Sequence, residues 1–332
     1  MSGRRDLPHA PKRRPRGLGE RRAIELLAGL LDTGRAAPGV ALGIGDDAAI
    51  LRRPPAKLVW TTDVAVENVH FRRGWLAWED VGYRAFQAAV SDLAAMGARP
   101  LAALSSLVLP KGFGAAALAA LGRGQAEAAA RSRCPVVGGN ISSGGELSIT
   151  TSALGHARRP LCRCGARPGD ELWLVGEVGL ARAGLLLLER DARPKGAGAR
   201  ACVQAWRRPS ALLRPGAALV GRAHAAIDVS DGLAGDAAQV AASCGCRLVI
   251  EAAALDRLLS PALLAAAREL GQPARRLALQ GGEDYALLAA GPPQRRPKSA
   301  RRLGRVEAGS GVVHEAESGR AVRLAPGFEH RV

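Results

Sequence analysis

The residues best suited to chemistry in this chain are carboxylates, and most of them follow glycines or end apolar runs. Asp46 and Asp47 come directly after Gly43-Ile44-Gly45, and Asp63 ends the run KLVWTTD. Asp228 ends another apolar run with Asp231 three residues later, while Glu283 and Asp284 follow Gly281-Gly282. In layered α/β proteins, ligands bind at strand ends and in the loops beyond them. Carboxylates that converge there repel one another unless cations lie between them. Oxygen donors without Cys or His partners favour hard divalent ions such as magnesium. Each residue alone has a plainer reading: Asp231 as a helix N-cap, Asp46 and Asp47 as an ordinary turn. Together they point to one shared metal and phosphate site. Asp92 adds to the set. It lies on the helical face of Ala85, Ala88 and Ala89, a small apolar stripe expected to pack inward. A carboxylate there needs an arginine or a metal beside it.

Other phosphate-handling signatures are absent. None of the five lysines follows a glycine, so a Walker loop cannot occur. The protein-kinase glycine loop and its companion motifs are missing as well. Phosphates would therefore be held through metal bridges and loop amides.

The elements that must position these groups follow from periodicity and punctuation. Helices are expected over 21–34, over 78–97 closed by Gly97 and Pro100, over 114–131, through 188, and after Asp231. Strands are expected over 57–63, 100–110, 135–140, 146–156, 171–176, 225–228, 247–252 and the run up to 290, with a Gly-Ser loop between the third and fourth. Interleaved strands and helices in both halves predict α/β or α+β layers. The basic, turn-rich stretch 157–170 marks the expected boundary between domains.

Composition narrows the class. The chain is 48% hydrophobic and 23% charged, which suits a globular protein and excludes a fibrous or disordered one. No apolar run reaches the roughly 20 residues that span a bilayer. The segment 1–22 has no apolar core of a secretory signal, which predicts a cytoplasmic protein without a membrane partner. Four of the six cysteines form Cys162-Arg163-Cys164 and Cys244-Gly245-Cys246, spacings too tight for common zinc sites. They read as thiols in a reducing cytosol. The net charge of +17 raises nucleic acid as a partner, but 3% aromatic residues leave few stacking platforms. Residues 1–22 hold eight basic and two acidic residues, and residues 291–305 hold six basic and no acidic ones. Both segments read as solvated surface or flexible arm, so no specific nucleic-acid partner is expected.

Five motifs bring a resemblance into view. GIGDDAAIL (43–51), TTDVAVENVHF (61–71), SDLAAMGA (91–98), DVSDGL (228–233) and GGEDYAL (281–287) resemble, in order, those of the thiamine-monophosphate kinase family. That family belongs to the aminoimidazole-ribonucleotide synthetase-like superfamily, and the similarity spans roughly residues 20–330. The resemblance implies a two-domain fold: a basic arm over 1–20, an N-terminal α/β domain over 21–157 that dimerises through its sheet, and a C-terminal α/β domain over 158–332. It implies ATP-dependent phosphorylation of thiamine monophosphate to thiamine diphosphate by direct in-line transfer, with several magnesium ions, in a homodimer. The metal set carried over is Asp47, Thr61, Thr62, Asp63, Asp92, Asn140, Asp228 and Asp231, with Asp47, Asp63, Asp92 and Asp228 at the catalytic centre. Gly139, Asn140, Arg163 and Ser230 correspond to nucleotide contacts, and His70, Glu283 and Phe328 to acceptor contacts.

One stretch departs from the family pattern. The family has Gly-Gly-Asp-Thr-Thr-Arg-Gly where this chain reads GGNISSGG (138–145). Asn140 thus replaces a metal-binding Asp, and Ser143 stands where Arg is usual. An Asn carbonyl can coordinate magnesium but adds no negative charge, so one metal is expected to bind more weakly or to be borne by Glu146. Two alternatives stand beside the leading one: a superfamily paralogue with another small phosphorylated acceptor or reduced activity, and a basic nucleic-acid-binding protein.

Overall fold

The computed structural model describes residues 20–31, 40–42, 50–51, 56–190, 194–316, 318 and 321–324. Asp46, Asp47 and Phe328 lie outside the described residues, as does the greater part of the basic N-terminal segment. The first half runs α1 (Glu20–Leu31), β1 (Val40–Leu42), β2 (Ile50–Leu51), β3 (Lys57–Val66), α2 (Trp78–Ala95), β4 (Arg99–Pro110), α3 (Ala115–Ser132), β5 (Val136–Gly144) and β6 (Ser148–Ala157). The second runs β7 (Glu171–Val175), α4 (Leu180–Glu189), α5 (Ala197–Arg207), α6 (Leu213–Leu219), β8 (Ala225–Val229), α7 (Leu233–Cys244), β9 (Arg247–Glu251) and α8 (Ala252–Asp256). It continues with α9 (Pro261–Leu270), α10 (Ala274–Gln280), β10 (Ala286–Gly291), β11 (Arg301–Glu307), β12 (Gly311–Glu315) and β13 (Ala321–Arg323).

Each half builds a sheet. The first sheet has the order β3-β6-β4-β5, antiparallel except for the parallel pair β4 and β5. The second has the order β13-β12-β9-β11-β7-β10-β8, and only β12 and β9 run parallel. The chain passes from one sheet to the other between residues 157 and 171, where the basic, turn-rich sequence lies. α2 and α3 cover one face of the first sheet, with Phe86, Val90, Leu93, Leu118 and Leu121 in its core. The C-terminal end of α2 reaches the second sheet, where Ala94 and Ala95 pack with Trp173, Val175, Leu287 and Ala289. One helix therefore belongs to the packing of both halves.

Among the described residues, no element covers the opposite face of the first sheet, which is bare in that sense. Trp60 is 75% exposed, Leu58 57% and Leu104 42%, and Val64 is exposed beside them. Alternation along β3 puts Leu58, Trp60, Thr62 and Val64 on this face, with Val59, Thr61 and Asp63 on the other.

Two expectations change. Residues 140–144 continue β5 in register with β4, so the Gly-Ser stretch is strand where its composition predicts a loop. Gly139 explains the close pairing: a Cβ there would sit 1.8 Å from the Ser105 carbonyl oxygen. Residues 291–305 are not a flexible arm, for Arg301, Arg302 and Arg305 stand on β11 in the middle of the larger sheet. Charge pairing makes that possible. Both Arg302 Nη atoms donate to Glu251 at 2.5 and 2.6 Å, and Arg305 Nη1 donates to Glu315 at 2.6 Å and Glu251 at 3.2 Å. Leu303 and Val306 of the same strand enter the core.

Candidate active site

The antiparallel pairing of β8 and β10 sets the site's frame. Ala286 lies opposite Val229, so the DVSDG turn that leaves β8 and the GGEDY turn that enters β10 must be neighbours. The Glu283 amide donates to the Ser230 carbonyl at 2.7 Å, and the Tyr285 amide to Val229 at 2.9 Å. Gly282 permits this approach, since a Cβ there would lie 2.4 Å from the Ser230 carbonyl oxygen. Glu283 and Tyr285 adopt positive φ values of 67° and 51°. This left-handed backbone turns the two side chains as the strand begins.

α2 closes the frame from the other half. Ser91 Oγ donates to Asp228 at 2.7 Å, and Thr61 of β3 hydrogen-bonds to Asp92. Asp92 thus meets a hydroxyl rather than an arginine. Thr62, Asp63, His70, Asp92, Asp228, Ser230, Asp231 and Glu283 line one cleft of about 840 Å³. Val66 N donates to His70 Nδ1 at 3.1 Å, which leaves the ring proton on Nε2.

The acids in this cleft disfavour their own ionisation. Burial, then the charge of Asp92, pushes the Asp228 carboxyl up to about 6. Asp63 is raised as well, mainly by the desolvating walls of the cleft and then by Asp92, although the residue itself is open to solvent. Asp236 is pushed up to about 7 by burial and by Asp231 and Asp228. Among the described residues, no three His, Cys, Asp or Glu side chains converge as a ready metal cage. The donor set still fits a hard cation: oxygen ligands only, whose mutual repulsion a cation would relieve.

Several sequence-derived candidates fall elsewhere. Gly139 and Asn140 lie on β5, the edge of the sheet opposite β3. Three strand spacings separate the two edges, which places these residues about 14 Å from β3 within one chain. Asn140 shares the bare face with Thr62 by alternation. Asp284 is a structural acid: it accepts the Gly179 amide at 2.6 Å and the Ala181 amide at 2.9 Å at the start of α4. Asp231 does not cap α7, whose N-cap is Gly232 with no side-chain cap bond. Its amide instead donates to Asp236 at 3.1 Å. Arg163 lies near enough to Asp228 for its charge to act on that carboxyl, while its own Nη1 donates to Gln239 at 2.6 Å.

The structure adds groups that sequence reasoning misses. Arg84 of α2 is buried, ion-pairs with Glu283 and hydrogen-bonds to the Trp206 carbonyl. Its guanidinium lies 4.5 Å from the Trp206 ring centroid, and Trp206 Nε1 donates to Glu283 at 2.7 Å. Trp75 meets Trp206 edge-on at 6.1 Å and lines the cleft beside Arg72. Asp236 escapes as well. A charged residue inside an otherwise apolar helical stripe is the available signal for both Arg84 and Asp236; nothing in sequence spacing announces Trp206.

Comparison with known proteins matches this arrangement. Residues 45–157 match the family model for the AIR synthase related protein, N-terminal domain. The thiamine-monophosphate kinase of Aquifex aeolicus is 36% identical over 271 residues, covering 81% of this chain and 88% of the relative. That of Mycobacterium tuberculosis is 38% identical over 301 residues, covering 87% and 85%. The solved structure of AaThiL complexed with AMPPCP and TMP aligns with a TM-score of 0.77 and 34% identity, over 94% of this chain and 97% of that one. Similarity of this depth spans both sheets and the cleft between them, and the chain therefore belongs to the thiamine-monophosphate kinase family.

Proposed function

We propose that the chain transfers the γ-phosphoryl group of ATP to thiamine monophosphate, giving thiamine diphosphate and ADP. The observation that carries this reading is the acid-lined cleft between β3, α2 and the two glycine turns. The kinase names of the relatives, and the neighbouring structure with AMPPCP and TMP, support it.

The acceptor's own phosphate oxygen is the nucleophile. It is already ionised at neutral pH, so no enzyme base is needed, and the protein's work is to align two polyanions in line. Asp63, Asp92 and Asp228 would hold magnesium, with Asp47, Asp231 and the neutral oxygens of Thr61 and Thr62. Magnesium bound there supplies neutralisation of the charge that keeps two phosphate chains apart. Ser230 and Arg163 contact the nucleotide. His70 donates from Nε2 to the acceptor phosphate. Arg84 and Trp206 hold Glu283 as an oriented acceptor for the amino group of the thiamine ring, and Phe328 is assigned to the same ring.

A second copy of the chain covers the bare face of Leu58, Trp60, Val64 and Leu104, giving a homodimer through the first sheet. Residues 21–157 and 158–332 act as the two domains of this machine, in the reducing cytoplasm that six free cysteines suit. No helix among the described residues is long and apolar enough to cross a membrane.

ADP release with a panel of phosphorylated acceptors tests the substrate. Thiamine monophosphate is expected to exceed every other acceptor in kcat/KM. Preference for another small phosphate would replace this reading with that of a paralogue, the alternative that Asn140 favours.

A further inference from the structure

The two C-x-C pairs, which the phosphoryl-transfer chemistry leaves unused, meet at one place. Cys162-Arg163-Cys164 lies along the outer edge of β8, where the Ala226 amide donates to the Cys162 carbonyl at 2.9 Å. Cys244 is the last residue of α7, 81 positions beyond Arg163, and its Sγ donates to the Arg163 carbonyl at 3.2 Å. That carbonyl carbon is bonded to the Cys164 nitrogen, so the Cys244 sulfur sits beside the peptide unit that leads into Cys164. Disulfides join Cα atoms roughly 4.4–6.8 Å apart, so the bridge requires the exposed Cys164 side chain to turn toward the Cys244 sulfur. Cys162 and Cys164 are exposed, Cys244 is half-buried, and all are reduced. Cys246 is buried and hydrogen-bonds with Cys244, so a Cys244–Cys246 bridge is the competing product that peptide mapping must separate.

The same spot connects to the cleft. Arg163 Nη1 donates to Gln239 of α7, and Gln239 Nε2 donates to Asp236 at 3.3 Å. Asp236 in turn accepts the Asp231 amide. Arg163 must leave Gln239 to give that nitrogen to a phosphate.

We propose that Cys164 and Cys244 form a thiol-exchange site for small-molecule disulfides, and that their bridge clamps the 162–165 loop to α7 and keeps Arg163 off the nucleotide. The effect on the nucleotide rests on the phosphate contact proposed for Arg163 above. The Cys164 thiolate attacks one sulfur of oxidised glutathione, forming a mixed disulfide and expelling one glutathione thiolate. The Cys244 thiolate then attacks the Cys164 sulfur and expels the second. Two protein thiols are oxidised, one glutathione disulfide is reduced to two thiols, and the two protons pass to solvent or to the leaving thiolates. The exposed arginines Arg158, Arg159, Arg163 and Arg167 lie in and beside this loop, and their positive charge suits an anionic disulfide such as oxidised glutathione.

The test treats the purified full chain with oxidised glutathione and scores two quantities that need no turnover. Peptide mass mapping reads the bridge, and equilibrium binding of a non-hydrolysable ATP analogue reads the nucleotide site. A Cys164–Cys244 linked peptide is expected. With it, analogue affinity should fall roughly tenfold, the scale of one charge-assisted hydrogen bond, and recover with dithiothreitol. C164S and C244S should show neither change. A bridge to Cys162, a Cys244–Cys246 bridge, glutathione adducts without a bridge, or a Cys164–Cys244 bridge with unchanged affinity would each overturn the proposal. A chain that forms the bridge and loses analogue affinity, yet makes no thiamine diphosphate when reduced, would overturn the function proposed above and leave the thiol site standing.

Discussion

Arg84→Met removes the cation under the acceptor end of the cleft, and its cost can be worked from the geometry. The Arg84 side chain is 7% exposed and its Glu283 partner 27%, so the variant leaves a largely desolvated carboxylate with only the Trp206 indole as donor. Breaking a fully buried pair costs about 3–5 kcal/mol. Water can still reach Glu283, which brings the expected loss of stability to about 2 kcal/mol, with the Trp206 contact included. The kinetic effect should be larger on the acceptor than on ATP, because Glu283 is released to rotate while Arg163 and Ser230 keep their places. A displacement of about 1 Å at a positioning group can cost a factor of about 100, so kcat/KM for thiamine monophosphate should fall on that scale. The KM for ATP should stay within about twofold, well inside that range. Steady-state kinetics with each substrate varied, alongside thermal melts, separates these effects. Arg84→Lys should recover part of the acceptor effect by restoring the charge. Equal losses for both substrates, or lost stability with unchanged acceptor kinetics, would refute the positioning role and leave Arg84 a packing residue.

Three further outcomes follow from the same geometry. Trp60→Asp places a charge on the bare sheet face and should shift sedimentation from dimer to monomer, whereas an unchanged dimer would place the interface elsewhere. Burial pushes Asp284 up to about 7, so the folded state holds its proton more tightly than the unfolded chain. Its stabilising contribution is fully present below the ordinary carboxylate pKa and is lost as pH rises through about 7. Metal-free stability to denaturant should therefore fall between about pH 4 and pH 7 and level off above, by at most about 1.4 kcal/mol per pKa unit, and Asp284→Asn should flatten the profile. A wild-type profile already flat over that range would remove Asp284 as the cause. Asn140 shares the sheet face that the proposed second copy covers, so the carboxylate that Asn140→Asp restores would act across that interface and should lower the magnesium concentration for half-maximal turnover. Full turnover of the original chain at low magnesium, slowed by the substitution, would contradict that.

Much of this site is legible in the sequence. Gly-acid turns after β-type runs mark the strand ends, and antiparallel pairing of β8 with β10 then forces DVSDG and GGEDY together. Asp92 is readable from its place on an alanine stripe, though a threonine hydroxyl rather than a cation meets it. Sequence spacing misses what depends on long-range pairing. Arg302 and Arg305 read as solvated charge because their partners, Glu251 and Glu315, come from other strands of the sheet. Arg84 and Trp206 lie 122 positions apart, and only the packing of α5 against the end of the cleft joins them. Asp284 resembles a ligand by its neighbours, yet the unpaired amides at the start of α4 claim it.

The most direct measurement supplies purified chain with γ-labelled ATP, magnesium and thiamine monophosphate and identifies the labelled product. Label is expected in the terminal phosphate of thiamine diphosphate, formed in step with ADP and without a phosphorylated enzyme. Label released only as inorganic phosphate, or trapped on the protein, would contradict direct transfer in this cleft.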